Sequence, residues 1–470
     1  MVLSMPSAGS PGITIHNSSG RPIRCFVECS DTADDIVSTL VGEFIAQRKP
    51  RKADSAEFRM KCLNTVRVLA LNLACLVMAG RALWLQTPAS KTWYAENRFW
   101  IGGNLTAATV EACTEFLVGQ GYVAVLAGNA SPLRANRRAA GIRPTAKFVT
   151  LVKGLGLTIK DIWRSPSSDL IQLRAPKLRD GSKLRLPFEW TEDLEAKATN
   201  LEGINRLLLS TPINLNVSNG QWSEIMTHIA RKQDPDMPEE IADGSTLDLT
   251  NKTLYRVFNN ASFDQGGRFY GGWWQALPKV WRSYVTINGR KVVELDYAAM
   301  HPTALSHELG LQPTTNFYEI GIGTKSVVKG TFNALINARG TSIKEVRGFD
   351  EHAVGMDWAR FLQCVKEHYQ PYRSYFGTGY GLKLQKLDSD IAEAVMLHFA
   401  AQGKVVLPVH DSFLCDERLE AELAFVMEEQ FRLLTGGTIR LKAKRLSQNQ
   451  RQILRCRLHT ARQTGVPISA

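Results

Sequence analysis

The sequence predicts an α+β protein, mostly helical, and three observations carry that expectation. Helical periodicity runs from about Asp34 to Gln86, two short β-branched strands each lead to a carboxylate (Asp296 and Asp411), and between them lies a helix with polar residues at every fourth position. A chain of 470 residues is too long for one ordinary core, so two or three domains are expected. With 44% hydrophobic and 22% charged residues, it has the composition of a globular protein that buries a substantial core. The net charge of +12 suits a surface that meets phosphates.

The first thirty residues hold clusters such as Ser7-Ala-Gly-Ser-Pro-Gly12 and predict a loose arm. Two packed helices follow, and this arm and helical region is expected to span residues 1–90. The most apolar run, Val68 to Gly80, lies between Arg67 and Arg81 and is shorter than the roughly 20 residues of a membrane span, so it predicts a buried helix. The N-terminus lacks a basic segment leading into an apolar one, and the eight cysteines include no CxxC pair. The expectation is a cytoplasmic protein with reduced thiols and no membrane.

Residues 91–235 are expected to form a winged-helix-like nucleic-acid-binding module. Ala107 to Gly119 reads as a helix, Gly121-Tyr-Val-Ala-Val as a strand, then come a basic loop with Arg134, Arg137, Arg138 and Arg143 and a second helix near Pro144 to Lys153. Leu170 to Arg185 alternates apolar and basic residues and fits a strand or hairpin in the same module. Gln233 to Ser245, rich in Asp, Pro and Glu, predicts a surface linker before a third domain at 246–470. That domain ends in a tail, Arg440 to Arg462, with eight Lys or Arg and no acid. Such a tail is a solvated face or a strip along a phosphate backbone.

The chemistry is concentrated in the third domain. In Val292-Val-Glu-Leu-Asp-Tyr-Ala-Ala-Met-His-Pro302 a strand ends at Asp296 and gives way to a helix with Pro302 in its first turn. In Val405-Val-Leu-Pro-Val-His-Asp-Ser-Phe-Leu-Cys415 apolar residues flank His410-Asp411, which predicts a hairpin with Asp411 at its turn. Two such aspartates, adjacent in a sheet, could bridge two Mg²⁺ ions, with Mn²⁺ as a substitute. Glu294 shares the strand face of Asp296 and either supports the metal site or is a structural glutamate. Between the strands, Lys325, Lys329, Asn333 and Asn337 line one helix face, with Val328, Phe332, Leu335 and Ile336 on the other. That stripe could hold a triphosphate at its lysines and a nucleoside at its asparagines.

Asp264-Gln-Gly-Gly-Arg-Phe-Tyr270 resembles the DxxGR element of the single-subunit RNA polymerases of bacteriophages and mitochondria, and His410-Asp-Ser-Phe413 is similar to their motif C. Asp296 falls at the metal aspartate of motif A, and Lys325 and Lys329 fit the first two places of motif B, which these enzymes share with family A DNA polymerases. The order DxxGR, A, B, C is kept over roughly Leu254 to Arg440, and Gln385 to Phe413 also looks like the family's approach to motif C.

The resemblance implies a right-hand polymerase, with a palm sheet and helices of fingers and thumb, acting as a monomer. Its partners would be a DNA template, an RNA or DNA product strand and nucleoside triphosphates. Asp296, Asp411 and the backbone carbonyl of Tyr297 would hold the metals, Lys329 would bind the triphosphate and could protonate pyrophosphate, and Lys325 would add charge. Gly267 and Arg268 would contact template or hybrid, His410 the primer terminus, and His301, Asn333 and Asn337 the nucleoside. Asn337 stands where the family has a tyrosine, and Arg268 lies much closer to Asp296 than in the phage enzymes, as in a minimal polymerase. The Asp-Tyr start of motif A and the position of His301 favour deoxynucleotides. DxxGR, His-Asp-Ser-Phe and the lack of an obvious proofreading motif tip the balance to RNA synthesis, by a primase or small transcribing enzyme. The rivals are a DNA polymerase, a metal-dependent nuclease using Glu294, Asp296 and Asp411, and a non-catalytic replication initiator.

Overall fold

No Gly or Pro interrupts Ala56–Met78, and this 23-residue helix organises the N-terminal part of the chain. The computed structural model describes residues 20–21, 23–47, 55–78, 84–88, 91–96, 105–126, 140–158, 160–177, 183–231, 247–340 and 342–444. They divide into two units, 1–168 with 232–251 and 169–231 with 252–470. The expected loose arm up to residue 19, Arg134, Arg137 and Arg138, the linker up to Ser245 and the tail beyond Lys444 lie outside the described residues.

The first unit contains β1 (Gly20–Arg21), β2 (Val27–Cys29), α1 (Asp31–Gln47), α2 (Ala56–Met78), β3 (Trp84–Gln86), α3 (Lys91–Glu96), α4 (Ala107–Gly119), β4 (Val123–Leu126), β5 (Gly141–Pro144), α5 (Ala146–Gly154) and β6 (Ile162–Arg164). Ile36 and Leu40 of α1, Leu69, Leu73 and Leu76 of α2, Leu117 of α4 and Phe148 of α5 share one core. Among the described residues α2 is the one helix long and apolar enough to cross a membrane, and 61% of its apolar window is buried in this core. Its buried Asn72 is satisfied by backbone: Arg24 N donates to Oδ1, and Nδ2 donates to the Arg24 and Val68 carbonyls. Helix α4 and strand β4 fall where the sequence indicates them. Antiparallel β5 then pairs with β4 and leads into α5, in a sheet of order β1-β3-β5-β4. Arg143, on β5, sits 5.2 Å over the Trp84 ring.

The second unit begins with β7 (Ile171–Arg174), β8 (Arg185–Leu186), α6 (Glu192–Ser210), β9 (Ile213–Leu215) and α7 (Asn219–Arg231). Sequence position groups these residues with the middle module, but β7 and β9 find partners further along the chain. β7 pairs in parallel with β10 (Tyr255–Asn259), and β9 pairs with β12 (Val285–Ile287). Sheet β8-β7-β10-β11 ends in β11 (Ser262–Tyr270). Short helix α8 (Trp273–Ala276) and β13 (Arg290–Tyr297) follow, then α9 (Met300–Glu308), α10 (Lys325–Asn337), α11 (Glu351–Val354), α12 (Trp358–His368) and α13 (Gly381–Ala400). Hairpin β14 (Val406–Val409) and β15 (Ser412–Asp416), helix α14 (Glu420–Thr435) and β16 (Leu441–Lys444) complete it.

The central sheet has the order β14-β15-β13-β12-β9, and β16 also pairs with β13. Pro408 lacks an N–H, and it sits on edge strand β14, where none is needed for a further partner. Its carbonyl accepts from the indole of fully buried Trp274 (3.1 Å) and from Gln275 (3.2 Å). On α10 the side opposite the polar stripe is buried through Val328, Phe332, Leu335 and Ile336, as the four-residue spacing requires. Phe332 packs with Phe317 and Tyr369, both centroids at 4.9 Å.

Helix α13 is fastened to the β10–β11 pair by a cation inside the protein. Arg256 is fully buried, donates to Gly267 O (2.9 Å), Ser389 Oγ (3.1 Å) and Asp390 (3.1 Å), and also pairs with Glu393. Removing one member of such a pair strands the other charge. Arg256→Met should therefore lower unfolding free energy by about 3–5 kcal/mol, read from urea denaturation at neutral pH.

Candidate active site

The strand register brings the two aspartates together. β13 and β15 run antiparallel with Asp296 opposite Ser412, and Tyr297 N donates to Asp411 O (3.3 Å), so Asp411 lies beside the end of β13. Val409 pairs with Ser412, which leaves His410 and Asp411 as a two-residue turn. His410 has φ +58°, a left-handed conformation usually given to glycine at the first position of such turns.

A buried polar brace holds this turn. Ser412 Oγ donates to Glu294 Oε1 (3.1 Å) and to Val409 O (3.1 Å), and Arg282 donates to the same Glu294 oxygen (3.1 Å). Glu294 is 5% exposed. Of its two sequence-based roles, the structural one matches: Glu294 ties strand β13 to the turn that carries Asp411.

The polar stripe of α10 meets these carboxylates. Asp296, Asp411, Lys325, Lys329, Asn333, Asn337, Arg268, His301 and Tyr297 all line one cleft of about 550 Å³. Thr324 caps the helix that carries the stripe by accepting from Val327 N (3.4 Å). Lys325 pairs with Glu319 (2.6 Å), and Lys329 Nζ lies 5.9 Å from the Tyr318 ring centroid. Asn337 donates to Asn333 O (2.8 Å) and lies against Gly381, where a Cβ would collide with its amide.

Arg268 and His301 meet a third group that sequence reasoning missed, Asp388 on α13. Its side chain is 1% exposed; Arg268 Nε lies 3.1 and 3.0 Å from its two oxygens and His301 Nε2 lies 3.0 Å from Oδ2. Burial pushes the Asp388 carboxyl up, but Arg268 and His301 outweigh it and hold it below the ordinary 3.8. Burial likewise works against the charge on Arg268, and Asp388 more than restores it. No local signal marks Asp388, since the same helix also carries Lys383, Lys386, Asp390 and Glu393. Gln385, one turn earlier, and Arg440 and Lys442 also line the cleft and were not singled out individually.

Three expected site residues sit differently from the rest. Gly267 has φ +81°, and a Cβ there would lie 2.9 Å from the Phe258 ring and 2.9 Å from Ser389 Oγ, so a close approach of elements requires glycine. The Tyr297 side chain is buried, its hydroxyl donating to Met427 O (2.7 Å), so its share of the cleft falls to its backbone. The His410 ring packs on Tyr270 at 5.7 Å and is absent from the cleft lining; burial first, and Arg268 second, bring its pKa down to about 4.

Among the described residues no group of three or more His, Cys, Asp or Glu side chains is arranged to hold a metal ion. Asp296 and Asp411 offer hard carboxylate oxygens and Tyr297 a backbone carbonyl, the donor types that suit Mg²⁺ when phosphate oxygens and water complete the shell. No protein-family model matches the chain, and no curated protein matches it.

Asp388→Asn should lower stability at neutral pH by about 3 kcal/mol, because the partly buried Arg268 loses its counter-charge. The folded carboxyl titrates below its unfolded value, so this contribution is complete above pH 3.8 and is lost as pH falls through the folded pKa. Urea midpoints of wild type and variant should therefore differ at pH 7 and converge in acid below pH 3.8.

Proposed function

We propose that the second unit is a template-dependent nucleotidyltransferase of the right-hand type, with the central sheet as palm and α10 as the nucleotide-binding helix of the fingers. One observation carries this reading: two adjacent carboxylates, the lysine and asparagine stripe of α10, Arg268 and His301 line a single cleft. A nuclease would use the carboxylates alone and gives the stripe no task. In this scheme the segment α4-β4-β5-α5 of the first unit is the core of the nucleic-acid-binding module, and the protein works in the cytoplasm.

The reaction is in-line attack of a 3′-hydroxyl on the α-phosphate of a nucleoside triphosphate, forming a phosphodiester and releasing pyrophosphate. Asp296, Asp411 and the Tyr297 carbonyl would hold Mg²⁺ ions, which when bound acidify the hydroxyl and neutralise the leaving group. Lys329, with Lys325 a turn away, grips the triphosphate and is placed to give a proton to pyrophosphate. Asn333 and Asn337 continue the stripe toward the sugar and base. His301, held by Asp388, meets the sugar, and Arg268, held by the same carboxylate, meets the template strand or hybrid. The His-Asp-Ser-Phe turn and DxxGR element favour ribonucleotides as substrates.

The test is incubation with primed and unprimed DNA, Mg²⁺ and labelled rNTPs or dNTPs in parallel. Extension should fall at least ~10³-fold in Asp411→Asn, with template affinity unchanged. Lys329→Ala should raise the KM for nucleotide roughly 10- to 100-fold. Degradation of the template without incorporation would replace this function by that of a nuclease.

A further inference from the structure

Asp296 has a second neighbour in the sheet. β15 runs along one edge of β13 and β16 along the other, and in the second pairing Asp296 stands opposite Lys442. Residues directly opposite in an antiparallel pair project from the same face with Cβ atoms about 5 Å apart. The order across the end of the sheet is therefore Ser412, Asp296, Lys442, with Asp411 next to Ser412 in the turn. Arg440 lies two residues before Lys442, on the same face by the strand period, and both line the cleft.

This segment is held in place by its backbone. Ala298 N donates to Arg440 O (2.9 Å), His307 Nε2 lies 2.8 Å from Thr438 O, and Ile439 between them is buried. Gly437 packs so closely on the His307 ring that a Cβ would overlap it. The exposed side chains of Lys442, on β16, and of Arg440, just before it, thus rise from a fixed segment. With Lys329 they are three cationic side chains lining the cleft besides Arg268 and Lys325. Arg268 and Lys325 are already engaged by Asp388 and Glu319. A phosphate group, with several anionic oxygens, suits the neighbouring Arg440 and Lys442, and a neutral ligand does not.

We propose that Arg440 and Lys442 form a phosphate-binding site beside Asp296, separate from the lysines of α10. The proposal rests on the nucleotidyltransferase reading only in taking this cleft as the place where phosphates are handled. The phosphates come from the incoming triphosphate or from the backbone of a bound strand, and Lys442 contributes more because it lies directly across from the carboxylate.

The experiment uses the full chain as wild type, Lys442→Ala, Lys442→Arg and Arg440→Ala. Inorganic tripolyphosphate with Mg²⁺ is titrated by calorimetry, and a primed DNA duplex with a single-stranded 5′ overhang by fluorescence anisotropy. Lys442→Ala should weaken one probe at least ~10-fold, with Lys442→Arg restoring most of the loss and Arg440→Ala causing a smaller one. Loss for tripolyphosphate assigns the site to the nucleotide, and loss for the duplex assigns it to the strand. Wild-type affinity of Lys442→Ala for both probes overturns the proposal, as does an equal loss in Lys442→Arg. If the wild type extends no primer but Lys442→Ala binds phosphate weakly, the site stands and the polymerase function falls. If the wild type extends primers and Lys442→Ala binds both probes normally, the reverse holds. Lys442 is exposed, so matched circular dichroism melts are expected to show all four proteins folded.

Discussion

The antiparallel register of β13 against β15 is the constraint on which the site depends. With Asp296 opposite Ser412, the turn that carries Asp411 arrives at the end of β13. A slip of one residue would send Asp296 to the other face of the sheet and leave Glu294 out of reach of the Ser412 hydroxyl. The register is pinned by polar contacts under the site as well as by the ladder: the Glu294 carboxylate takes hydrogen bonds from Ser412 and Arg282 inside the protein. A desolvated carboxylate with two donors has few alternative placements, and that fixes the turn more tightly than apolar packing would.

A second buried carboxylate does similar work on the other side of the cleft. Asp388 joins three elements distant in sequence, since Arg268 lies on β11, His301 on α9 and Asp388 itself on α13. Next to it Arg256 ties β10 to α13 through Asp390 and Glu393. Helix α13 is thus held to its sheet by charge as well as by apolar contact, and the two side chains aimed at the cleft inherit their positions from it.

Much of this was legible in the sequence, for physical reasons that differ by element. The stripe of α10 could be read because a period of four on a helix admits one geometry, and all four polar residues line the cleft. The His410-Asp411 turn could be read because apolar strands flank it closely on both sides. Asp388 escaped because nothing local marks a carboxylate whose partners are 87 and 120 residues away. The placement of β7 and β9 escaped likewise, because strand pairing across the chain depends on partners that no window around residues 169–231 contains. Lys442 was visible only as part of a basic tail, since its distinction comes from pairing with β13.

The interleaving of the two units has a consequence for the chain as it leaves the ribosome. The described part of the first unit is complete only when residues 247–251 have emerged, and Arg24 then meets Thr250 and Asp248. By that time residues 169–231 are already outside, yet β7 needs β10 and β9 needs β12, both still to be synthesised. During translation this stretch presents strand edges whose native partners do not yet exist, the kind of surface on which nascent chains associate wrongly. Helix α6, which begins with three acids and is capped by Thr191, is the part of it equipped to form early on local information alone.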